Sequence, residues 1–127
     1  MRNNFCIING EWNSIVPFKV DRIIDSSVGL EVFISGSGNN STSGVFTFET
    51  YYGYRNFDEG DLWRRWSEVG VLYSGLYMAK QSDFLDWAAD QSVYGVLPDS
   101  LANYLLVSTG DVLDVLSDDA PRFDFVE

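Results

Sequence analysis

Leu30-Glu31-Val32-Phe33-Ile34-Ser35 and Val45-Phe46-Thr47-Phe48-Glu49-Thr50 are two short runs rich in β-branched and aromatic residues. Such side chains fit a pleated, half-buried surface, so both runs predict strands. Between them, Gly36–Gly44 is made almost entirely of Gly, Ser, Asn and Thr, which predicts a long hairpin loop. Upstream, Phe18–Ile24 partly alternates and supplies a further strand. Downstream, Tyr51–Phe57 adds or extends one, with Gly53 marking a bulge or turn. The first half therefore reads as an antiparallel meander.

Helical signals enter after it. Asp58 or Asp61 can cap a short helix over Leu62–Glu68, with Leu62, Trp63 and Trp66 on its buried side. Val71–Lys80 is apolar and predicts another strand. Ser82 is a good N-cap for a helix over Phe84–Gln91, and Asp83 suits the positive end of its dipole. Tyr104–Ser108 predicts a strand. Thr109 then caps a second helix, Asp111–Leu116, and Pro121 ends that region. Arg122–Val126 alternates and predicts a last edge strand. With no repeat, linker or composition break, residues 1–127 read as one domain. The expected fold class is α+β: a twisted antiparallel sheet with two or three short helices packed on one face.

Charge is distributed unevenly. Gln81–Glu127 holds ten carboxylates against Arg122 alone and carries −9 of the chain's net −11. Two series, Asp83/Asp86/Asp90 and Asp111/Asp114/Asp118, repeat the spacing i, i+3, i+7. On helices they form two outward stripes, each spanning about 10 Å, opposite Phe84, Leu85, Trp87 and Ala88 in one case and Val112, Leu113, Val115 and Leu116 in the other. Like charges at i, i+4 cost about 0.2–0.5 kcal/mol per pair, and Asp is a poor helix former. A sequence that accepts this cost carries the charge for binding. Short Asp side chains also lose little rotamer entropy when an interface fixes them. The expected partner-binding residues are Asp83, Asp86, Asp90, Asp111, Asp114, Asp118 and Asp119.

Several chemistries fall away. The chain has no histidine, which excludes Ser-His-Asp and Cys-His machinery and the common zinc sites. Cys6, the lone cysteine, rules out an intrachain disulfide and reads as a small buried hydrophobe. Gly36-Ser37-Gly38 lacks the Lys-Ser/Thr of a phosphate loop, and no EF-hand spacing occurs. The expectation is no enzyme, no cofactor and no metal. A pI near 4.1 disfavours direct binding to nucleic acid or anionic membranes and favours a basic protein partner. No apolar run reaches the length of a signal-peptide core or a membrane span, so a cytoplasmic location is expected.

Tyr51, Tyr52, Tyr54, Phe57, Trp63 and Trp66 cluster with Arg55, Arg64 and Arg65. The interleaved acids Asp58, Glu59, Asp61 and Glu68 favour core packing with local ion pairs over a nucleic-acid stacking surface. Trp63 and Trp66 also stand as candidate interface anchors.

The layout of Ser82-Asp83-Phe84-Leu85-Asp86-Trp87, Tyr104–Ser108 and Thr109–Leu116, helix, strand, helix, resembles small acidic immunity proteins of contact-dependent inhibition and related polymorphic toxin systems. The resemblance covers half of the chain and lies in layout, so no functional residue is carried over from it. It implies a non-enzymatic inhibitor that binds and neutralises a cognate toxin domain, often a basic nuclease. The rival readings are a DNA-mimic inhibitor of a nucleic-acid-binding protein and a small structural or adaptor subunit. Neither the partner's identity nor the oligomeric state is legible in the sequence.

Overall fold

Strand pairing dominates the chain. The computed structural model describes residues 5–58, 73–92 and 97–126. Among them run β1 (Cys6–Ile8), a 3-10 turn (Glu11–Ile15), β2 (Phe18–Ser26), β3 (Gly29–Gly36), β4 (Ser43–Phe48) and β5 (Gly53–Asp58). They are followed by β6 (Gly75–Ala79), helix α1 (Asp83–Gln91), β7 (Ala102–Val107), β8 (Asp111–Ser117) and β9 (Arg122–Val126). The strands form two antiparallel sheets, a four-stranded one ordered β2-β3-β4-β9 and a five-stranded one ordered β1-β6-β7-β8-β5.

The predicted meander is β2-β3-β4. Leu30, Val32 and Ile34 of β3 and Phe46 and Phe48 of β4 turn to one side and are buried. Glu31, Phe33 and Ser35 turn to the other, where the Arg22 guanidinium lies 4.3 Å from the Phe33 ring centre. The β2–β3 turn passes so close to β4 that a Cβ on Gly29 would stand 2.3 Å from the Phe48 carbonyl, and its φ of +115° favours glycine. β9 pairs along β4 as the expected last edge strand.

The inner faces of the two sheets share one core. Phe18, Val32, Ile34 and Phe46 meet Leu76, Leu106, Leu113 and Val115 across it. Trp12 of the 3-10 turn plugs one margin, packing 5.2 Å from Phe46 and 5.7 Å from Phe123, while its indole N–H donates to the Ile8 carbonyl. Each fully buried Leu, Val or Phe stabilises the sandwich by about 1.5–3 kcal/mol. The five-stranded sheet is covered on its outer face as well. There α1 seats Phe84 and Leu85 on Leu101 and Leu116.

The expected balance of strand and helix needs correction. The fold is mainly β, and α1 is the one α-helix among the described residues. Residues 111–116 are not a helix but most of strand β8, joined to β7 through Ser108-Thr109-Gly110-Asp111. Thr109 caps nothing there; its N–H donates to the Phe18 carbonyl at 2.9 Å. Both faces of β8 are buried, so its apolar residues run nearly continuously and imitate a helical pattern. The tail is therefore helix, strand, strand. Cys6, expected in the interior, is exposed on β1. The expected helix over Leu62–Glu68, with Trp63 and Trp66, lies outside the described residues.

Candidate protein-binding surface

Helix α1 begins as its sequence predicts. The Ser82 hydroxyl accepts from the Leu85 N–H at 3.1 Å, satisfying one of the first-turn donors. The same hydroxyl donates to Asn103 Oδ1 at 2.8 Å. Asn103 Nδ2 donates to Asp114 Oδ1 at 3.1 Å and to the Tyr104 carbonyl at 3.1 Å. Arg55 Nε completes the chain on Asp114 Oδ2 at 3.1 Å, and its guanidinium lies 4.3 Å from the Phe84 ring centre. Cap, amide, carboxylate and guanidinium thus tie α1 to β7, β8 and β5. Ser82, Asn103 and Asp114 are buried, where unpaired polar groups would be costly.

On the helix surface, Asp83, Asp86 and Asp90 are all exposed, as the first stripe predicts. α1 has no basic residue in its last turn, where Asp90 sits at the negative end of the dipole. Trp87 departs from expectation. The sequence pattern puts it on the buried side with Phe84, Leu85 and Ala88, yet it is 57% exposed. A rotation of about 100° per residue puts it one turn from Asp83 and from Asp90, beside both on the helix surface. Its ring stacks on Phe84 with centroids 6.0 Å apart and planes 28° from parallel.

Beside this ring runs a groove of about 330 Å³, lined by Tyr52, Gly53, Phe84, Trp87, Ala88, Gln91, Ser92, Leu97 and Leu116. Tyr52, which also lines it, is likewise 57% exposed. Two exposed aromatic side chains lining an apolar cleft, one of them beside Asp83 and Asp90 on the helix surface, combine the features that concentrate energy in protein interfaces.

The second stripe does not exist. Its spacing on a strand sends Asp111 and Asp114 to opposite faces and leaves Asp111 and Asp118 about 23 Å apart along the chain. Asp111 is half-buried in the β7–β8 turn, with its Cα paired to that of Asp58. Asp114 is at 0% exposure in the Arg55 pair. Asp118 and Asp119 are exposed beyond the other end of β8. Asp118 accepts from the Ser100 hydroxyl at 2.9 Å, and Ser117 Oγ bonds both the N–H and the carbonyl of Asp119. Of the expected partner-binding residues, Asp83, Asp86 and Asp90 share the surface of α1, while Asp114 is buried beneath it and belongs to no stripe.

Tyr51, in the connection between β4 and β5, ties back to Asp25 of β2, the phenol donating to the carboxylate. That hydrogen bond, with burial and the charge on Asp25, pushes the Tyr51 pKa up to about 12. Among the described residues no cluster of carboxylates and thiol is arranged to hold a metal ion, and no helix is long and apolar enough to cross a membrane. Comparison of the chain with protein-family models, curated proteins and solved structures gives no match.

Proposed function

We propose that the chain is a protein-binding module whose α1 surface docks a basic protein partner, in the manner of an inhibitor that neutralises a basic toxin domain. The observation that carries this reading is the coincidence of Asp83, Asp86 and Asp90 with exposed Trp87 and the apolar groove beside it. The carboxylates steer a cationic partner toward α1, and the aromatics supply area that loses water on docking. Asp90 at the negative end of the α1 dipole is a cost to its own helix that a role in binding explains.

Mimicry of DNA is less well served. A duplex presents about six phosphate charges over the 10 Å that one three-carboxylate stripe spans, and β8 provides no second stripe beside it.

The test is association with a purified basic toxin domain that binds the chain, measured with the wild-type chain and with an Asp83→Asn/Asp86→Asn/Asp90→Asn variant. The proposal expects the variant to associate at least about tenfold more slowly at low salt, with the gap closing as salt is raised. Equal association rates at every salt concentration would reject it.

A further inference from the structure

Resting on the protein-binding reading of α1, we propose that the groove beside Trp87 receives an arginine side chain of the partner, stacked on the indole and paired with Asp90. The molecule already uses this chemistry on the neighbouring ring. Arg55 holds its guanidinium 4.3 Å from the centre of Phe84, and Phe84 stacks in turn on Trp87. Trp87 extends that ladder outward with a ring that is more than half exposed. Indole has the strongest attraction for cations among the aromatic side chains.

The surroundings select the occupant. Asp90 lies three residues after Trp87 on the same surface of α1, so a cation over the ring has a carboxylate at its edge. The groove between Trp87 and Tyr52 is mostly apolar, walled by Ala88, Leu97 and Leu116. Such a wall suits the methylene stem of a long basic side chain whose head lies over the Trp87 ring, towards Asp90. A planar guanidinium can stack on the ring and hydrogen-bond the carboxylate at once, which a lysine ammonium cannot do.

The experiment titrates the full chain at low salt with the peptide acetyl-Gly-Arg-Gly-Arg-Gly-amide and follows the Trp87 indole N–H by NMR, assigned with Trp87→Phe. Matched peptides carry lysine or neutral citrulline in place of arginine. The proposal expects a saturable shift of the Trp87 signal with arginine, binding about two- to fivefold weaker with lysine, and none with citrulline. Asp90→Asn should weaken arginine binding about two- to fivefold, while the remaining indole signals report an intact fold. A citrulline peptide that binds as well as the arginine peptide would overturn the proposal in favour of an apolar anchor. Shifts confined to α1 backbone amides, with the indole unmoved, would overturn arginine stacking while leaving electrostatic docking in place. An α1 surface indifferent to every peptide would overturn the proposal, and the association rates of the Asp→Asn variant then decide separately whether the docking reading falls with it.

Discussion

The side-chain amide of Asn103 donates to the buried carboxylate of Asp114 at 3.1 Å, and through Ser82 the same amide group reaches the N-cap of α1. The helix that carries the candidate surface is thereby fastened to the sheet by a polar chain as well as by Phe84 and Leu85. Asp114, which its spacing assigned to a binding stripe, instead helps to position one.

Removing that carboxylate leaves Asn103 Nδ2 with one acceptor fewer and Arg55 without its buried partner. Asp114→Ala should destabilise the fold by about 3–5 kcal/mol, read from chemical denaturation. Asp114→Asn keeps an acceptor oxygen and should cost less. A loss within error of zero for Asp114→Ala would show that the pair does not hold α1.

Ser82→Ala removes the helix cap and the donor to Asn103 Oδ1 together. Loss of the cap alone costs about 1 kcal/mol, and the orphaned buried amide oxygen adds to it. Amide hydrogen exchange should show faster opening of α1 than of β3, because the sandwich core does not pass through Ser82.

Asp90→Asn should stabilise the isolated chain by about 0.3–1 kcal/mol, since it removes a negative charge from the C-terminal turn of α1. It should at the same time slow association with a basic partner. A substitution that stabilises the fold and weakens binding is the expected signature of charge retained for recognition. If Asp90→Asn destabilises the chain, that carboxylate serves the fold instead.

Tyr51 makes stability sensitive to alkali. Its pKa is about 12 in the folded chain against an ordinary value of 10.0. The Asp25 bond therefore contributes fully below pH 10, and its contribution is lost as pH rises from 10 through about 12. Burial shifts Tyr77 and Tyr104 upward as well. Thermal denaturation against pH should show Tyr51→Phe losing less stability than the wild-type chain across that window, because the variant has no phenol at this position to ionise.

Much of the sandwich is legible in the sequence for a simple reason. β3 alternates cleanly between core and surface, so Leu30, Val32 and Ile34 declare one face and Glu31 and Ser35 the other. β8 is not legible in this way, because α1 covers the face that would otherwise be wet and the alternation disappears. Val112 and Val115 hint at a strand, but Asp114 in the middle reads as polar surface until its partners on β5 and β7 are known. Trp87 is misread for the opposite reason. A large aromatic one turn beyond Phe84 is assigned to the core by composition, and only the position of the sheet shows it standing clear. β1 is too short for alternation to announce it.

The most direct test of the account is the association rate of the chain with a basic protein domain that binds it as a function of ionic strength, compared between wild type and Asp86→Asn/Asp90→Asn. The account predicts a steep fall with salt for the wild-type chain and a slower, flatter profile for the variant. Superimposable profiles would contradict it.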